Sequence, residues 1–163
     1  MAEIFISLGT NVEREHHLNS GLVALQQAFG VLKLSSLFES EAVGFLGQPF
    51  YNMVIGIRTE QSIAQVAKLL RDIEFQHGRP INAKKYSPRT LDLDLLLCDQ
   101  LILQQPVQIP RDEITRNAFV LWPLAELAPT HLHPILKTSY QQLWQAFDRS
   151  SQQIAKVPFS WPT

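Results

Sequence analysis

The 163-residue sequence contains one cysteine, Cys98, which excludes an internal disulfide framework and fits a reducing compartment. It lacks any apolar run approaching the ~18 residues of a membrane span. The start, MAEIFISLGTN, has neither a basic cluster nor a long apolar stretch, so no signal peptide is expected. A strong charge of either sign is missing too: the net charge is −1, so any basic site must be local and a broad nucleic-acid surface is excluded. There is no Gly-x-x-x-x-Gly-Lys-Ser/Thr loop and no dinucleotide fingerprint, which excludes P-loop and Rossmann nucleotide sites. Glycine is absent beyond Gly78, whereas nine of the ten prolines follow it. The first half therefore reads as tight turns between regular elements, the second as rigid proline-punctuated connections. No polar linker divides the chain, and residues 1–163 are expected to form one domain. The expected location is the cytoplasm.

What is present alternates between two periodicities. EIFISL places Ile4, Ile6 and Leu8 on one strand face. Leu18, Leu22, Leu25 and Phe29 recur at helical spacing over roughly 13–29, with Gly30 as the stop. Strands follow over about 31–38 and at YNMVIGIR. A second helix begins at Ser62, where Ser62 and Gln65 match a capping box. TLDLDLLL then reads as a further strand. The order β-α-β-β-α-β predicts an α+β, ferredoxin-like core, an antiparallel sheet with helices packed on it. Beyond it, residues 101–109 suggest a short hairpin, AFVLWPLAELAP a buried turn and helix, and SYQQLWQAFD a last short helix; the tail 151–163 is expected to be partly loose. Trp122 and Trp144 are expected in the core, Cys98 as a buried small hydrophobe, and His16 and His17 facing solvent. His131 and His133 lack a third ligand nearby and do not read as a zinc pair.

The chemistry concentrates at Arg89-Thr90-Leu91-Asp92-Leu93-Asp94-Leu95. Alternation along a strand puts Asp92 and Asp94 on one face, ~7 Å apart between Cα atoms, and turns the leucines the other way. Carboxylates inside so apolar a strand are costly unless something compensates them. Mg²⁺ suits them, because it takes oxygen ligands and is usually shared with substrate phosphates. The preceding loop carries Arg79, Lys84, Lys85 and Arg89 and no acid. Cations feeding into a paired-carboxylate strand point to a polyphosphate bridged by the metal. Phe50 and Asn52 could stack on and hydrogen-bond a flat heterocycle, or serve as a core residue and a turn residue.

Ser87-Pro88-Arg89-Thr90-Leu91-Asp92-Leu93-Asp94 resembles the signature of the 6-hydroxymethyl-7,8-dihydropterin pyrophosphokinase family of folate biosynthesis. Gly9-Thr10-Asn11, Gln48-Pro49-Phe50-Tyr51-Asn52, Ile73-Glu74 with Gly78-Arg79, and Phe119-Val120-Leu121-Trp122-Pro123-Leu124 are similar to further family motifs in the same order. The resemblance implies transfer of pyrophosphate from ATP to a reduced pterin, with release of AMP. It implies Asp92 and Asp94 as ligands of a pair of Mg²⁺ ions, with Arg89 and Lys85 beside them as catalytic cations. ATP contacts are implied for Arg71, Glu74, Lys84, Lys85, Tyr86 and Arg89, and also for Leu95, Arg111 and Arg116. Pterin contacts are implied for Ser40, Val43, Phe50, Asn52 and Phe119, the two phenylalanines sandwiching the ring. A monomer acting on small molecules, apart from nucleic acid and membrane, is the expected form.

The sequence departs from the family pattern at Tyr86-Ser87, where Trp-Gly is usual, at Ile81-Asn82, at Pro110-Arg111-Asp112, at Asn117, with Arg116 one place earlier, and at Ser40-Glu41. These are mostly nucleotide-clamping positions, so a non-catalytic or altered-substrate pterin-binding paralogue is the alternative. A palm-like nucleotidyltransferase would also carry two aspartates on such a sheet, but the net charge argues against a template surface.

Overall fold

The computed structural model describes residues 1–40, 49–78 and 90–161. Strand β1 (Ala2–Thr10) is followed by helix α1 (Arg14–Phe29), and then by the short strands β2 (Lys33–Leu34) and β3 (Leu37–Ser40). Next come β4 (Phe50–Thr59), α2 (Ile63–Gln76) and β5 (Asp92–Cys98). The remainder comprises α3 (Glu113–Arg116), α4 (Ala118–Leu127), α5 (Tyr140–Ala146) and β6 (Ile154–Val157). The sheet runs β5-β1-β4-β3-β6, antiparallel at each pairing, with β2 also on β4. The α+β ferredoxin-like arrangement is thus present, with one strand added beyond β3.

Both sheet faces are covered. Ile4, Ile6 and Leu8 of β1 pack with Leu18, Leu22 and Leu25 of α1 and Val66, Leu70 and Ile73 of α2. Phe5 and Val54 point the other way, into a second core with Val120, Leu121 and Leu124 of α4 and Tyr140 of α5. A bulge opposite Phe5 and Ile6 sends Leu96 and Leu97 of β5 into this second core, while Leu91, Leu93, Leu95 and Cys98 stay in the first. Among the described residues no helix is long and apolar enough to cross a membrane.

Five expectations change. The strand over 31–38 breaks at Ser35–Ser36. There the Ser35 hydroxyl accepts from the Val54 N–H at 3.0 Å, and Ser36 turns its own N–H to the Glu126 carboxylate. The hairpin over 101–109 reduces to one bridge, Leu103 with Ile109, because Pro106 and Pro110 lack the N–H that a longer ladder needs. Within the tail, Ile154–Val157 forms β6, which runs against Leu37–Ser40 of β3. His17 is buried, its Nδ1 at 2.6 Å from the Val12 carbonyl oxygen, whereas His16 is exposed. Trp122 and Trp144 are half-buried in an aromatic ladder running from Phe38 to Phe147, with Arg149 over Trp144 and Lys156 over Trp122.

Candidate active site

The register of β1 assembles the candidate site. Gly9 lies opposite Asn52 on one side and Asp92 on the other; Ser7 lies likewise between Val54 and Asp94. Directly opposed residues of an antiparallel sheet share a face. Asn52, Asp92 and Asp94 therefore stand on the face that carries Val54, the one covered by α4. Phe50, two residues before Asn52, joins them. The gap between Asn52 and Asp92 is floored by Gly9, which offers no side chain. A Cβ there would meet Asn52 Oδ1 at 3.4 Å and Phe50 at 3.6 Å. This leaves a bare strip between a side-chain amide and a carboxylate.

Each group is held by its neighbours. Asn52 Nδ2 donates to the Ser40 hydroxyl at 2.6 Å, and both residues are buried. The Thr10 hydroxyl donates to the Thr90 carbonyl and ties the end of β1 to the approach of β5. Arg14 contacts the Glu39 carboxylate at 2.7 Å, donates to the Pro49 carbonyl at 3.1 Å and lies over the Tyr51 ring, pinning the start of β4. The backbone N–H of Arg111 donates to Leu96 at 3.1 Å, which brings its guanidinium to within 3.4 Å of Asp94 and 3.2 Å of Glu113. Phe119 sits half-buried at the start of α4, and Arg116 is exposed at the end of α3.

The electrostatics favour a cation. Burial pushes the Asp94 carboxyl up to about 7, with Asp92 adding to the shift and Arg111 opposing it. Asp92, Glu113 and Glu74 all raise it, so negative charge exceeds what Arg111 offsets. Among the described residues no three metal-binding side chains converge. The pair thus fits a hard cation that takes its remaining oxygens from phosphate and water.

The other expected residues divide. Glu74 is fully buried on the α1–α2 side of the sheet: one carboxylate oxygen accepts from the Leu93 N–H at 2.8 Å and the other contacts Arg71 at 2.7 Å. The Leu95 side chain is in that same core, facing away from Asp94. Arg71 is half exposed on α2. Val43, Lys84, Lys85, Tyr86 and Arg89 lie outside the described residues. Sequence reasoning missed three contributors. Glu113 had a signal in its spacing from Arg111. Gly9 was noticed as a turn rather than as a floor. Arg14, in the first turn of α1, gave none.

The sequence model of 7,8-dihydro-6-hydroxymethylpterin-pyrophosphokinase (HPPK) matches residues 5–129. A 2-amino-4-hydroxy-6-hydroxymethyldihydropteridine pyrophosphokinase of Bacillus subtilis is 34% identical over 128 residues, 76% of each chain. One from Aquifex aeolicus is 29% identical over 140 residues, covering 84% of this chain and 87% of that protein. Among solved structures, the wild-type HPPK-DHPS of Plasmodium falciparum superposes with a TM-score of 0.70 at 13% identity, over 88% of this chain. This chain spans 44% of that longer protein, and at such identity the likeness concerns the fold alone. The match over most of the sequence and the identity to the Bacillus protein place the chain in the HPPK family.

Proposed function

We propose that the protein transfers a pyrophosphoryl group from ATP to the hydroxymethyl oxygen of 6-hydroxymethyl-7,8-dihydropterin. That oxygen attacks the β-phosphorus, the bond from that phosphorus to the α,β-bridging oxygen breaks, AMP leaves, and the hydroxyl proton is released. The observation that carries this reading is the shared sheet face of Asp92, Asp94, Asn52 and Phe50, with Gly9 leaving the strip between them open. Asp92 and Asp94 would hold Mg²⁺. Bound there, the metal would supply charge neutralisation of the triphosphate.

The remaining roles follow from position. Phe50 and Phe119 would sandwich the pterin ring, and Asn52, held by Ser40, would hydrogen-bond its edge, with Val43 nearby. Arg89 and Lys85 would neutralise charge at the transferring group, with Lys84 and Tyr86 on the nucleotide. Among the described residues, Arg111, 3.4 Å from Asp94, and Arg116, exposed at the end of α3, are cations suited to phosphate oxygens. Glu74 and Arg71 with Leu95 would support the adenosine side from behind β5. Such a site needs positioning and charge neutralisation but no covalent intermediate. We place the reaction in the cytoplasm and in the monomer.

The test is AMP release from MgATP with and without the pterin. Pterin-dependent AMP is expected. Asp94→Ala should lower turnover by about a hundredfold or more, a loss of a few kcal/mol of transition-state stabilisation, while the variant stays folded. Pterin binding without AMP release in the native protein would favour a paralogue that kept the pocket and lost the chemistry. Normal turnover in Asp94→Ala would remove that residue from the metal site.

A further inference from the structure

The segment after residue 129, beyond the stretch matched by the family, reaches back to the site. Gln152 inserts its side-chain amide at the corner between α3 and α4. Its Oε1 accepts from the Ala118 N–H at 2.7 Å, and its Nε2 donates to the Arg116 carbonyl at 2.8 Å. Asn117, the N-cap residue of α4, supplies no side-chain cap hydrogen bond. The first N–H of a helix has no partner within the helix, and the carbonyls at a helix end are similarly orphaned. Gln152 therefore satisfies one orphan of each helix at once, from 34 residues downstream of Ala118. The two peptide groups it grips flank Asn117. Phe119 follows directly on one side and Arg116 stands on the other.

The same segment holds the opposite wall. Ile154, two residues on, pairs with Ser40, whose hydroxyl accepts from Asn52. A short stretch of chain thus links the β3 side of the pocket to the α4 side.

We infer that Gln152 is a positioning residue for pterin binding, setting the angle at which α4 presents Phe119 over the strip between Asn52 and Asp92. This rests on the reading of Phe119 as one wall of the pterin pocket. A corner locked by two hydrogen bonds keeps the ring wall preorganised; without them that order must be acquired on binding.

The experiment compares Gln152→Ala, Gln152→Glu, Lys156→Ala and Phe119→Ala by isothermal titration with 6-hydroxymethyl-7,8-dihydropterin and, separately, with MgATP. Gln152→Ala should weaken pterin binding about three- to tenfold, as expected for one or two net hydrogen bonds. MgATP affinity should change by less than about half as much on a logarithmic scale. Gln152→Glu keeps an acceptor for Ala118 but sets a second acceptor against the Arg116 carbonyl, so it should recover only part of the pterin affinity. Lys156→Ala loosens the same segment at Glu126, away from the corner, and should leave pterin binding as it is. Unchanged pterin affinity in Gln152→Ala, with Phe119→Ala weakened, overturns the inference and leaves the site reading standing. Equal losses in Lys156→Ala and Gln152→Ala reduce Gln152 to general tail anchoring and also overturn it. Unchanged pterin affinity in Phe119→Ala removes the wall itself, and both readings fall.

Discussion

Asp94 shows how a candidate site residue opposes the fold that carries it. Its side chain is only 17% exposed, on a strand whose other face is core, and it has Asp92 two residues away. Burial and that neighbour raise its carboxyl from 3.8 to about 7. The folded metal-free protein therefore holds a proton that the unfolded chain releases between about pH 4 and 7. Stability from this group is present below pH 4 and is lost as the pH rises through 7. Replacing Asp94 with Asn removes the titration. In EDTA, Asp94→Asn should be more stable than the native protein by about 2 kcal/mol at pH 8. The advantage should shrink towards zero near pH 4. Urea denaturation across this range checks it, and a gain independent of pH would mean that the carboxyl is not the source. Mg²⁺ with nucleotide should stabilise the native protein more than the variant. The aspartate pair was legible in the sequence because alternation alone fixes the face. Gly9 as a floor was not, since that role depends on the register of three strands that no local pattern encodes.

At the scale of elements, legibility followed the range of the interactions. The capping box of α2 forms as read, Gln65 N–H to Ser62 Oγ at 3.2 Å and Ser62 N–H to Gln65 Oε1 at 2.8 Å, because both partners lie within one turn. Strand β6 was not legible: IAKV is four residues long, and its partner β3 is more than a hundred residues away in sequence. Glu74 belongs with the long-range features. Strand β5 lies at the edge of the sheet, where unpaired N–H groups invite foreign strands. The Glu74 carboxylate covers one of them, at Leu93, and balances its charge against Arg71. Glu74→Ala should cost about 3 kcal/mol, because it leaves a buried donor and a cation without their partner. Glu74→Gln retains an acceptor for Leu93 and should cost about 1 kcal/mol. Urea midpoints measure both. A loss below about 0.5 kcal/mol in the alanine variant would mean that water replaces the carboxylate at the strand edge.

Among the described residues one sheet is shared by two cores, and strand β1 contributes to both. Ile4, Ile6 and Leu8 belong to the α1–α2 side, while Phe5 belongs to the α4–α5 side. Neither core can lose its sheet face without stripping the other, so the two layers are expected to unfold together. The candidate site depends on this unity: its carboxylates stand on β5, its amide on β4, and Phe119, the proposed ring wall, on α4. A small slip of that layer would shift Phe119 relative to the sheet while leaving each helix intact. The three tryptophans allow a direct check. Trp161 packs against the first core, and Trp122 stacks on Trp144 at 5.1 Å beside the second. In a Trp161→Phe background, emission reports only the α4–α5 layer, whereas far-UV circular dichroism reports the whole chain. Both signals should fall at the same urea concentration with the same slope. Emission lost at lower urea than dichroism would show that the α4–α5 layer detaches first. The pocket would then open by loss of that layer, at a free energy below that of global unfolding.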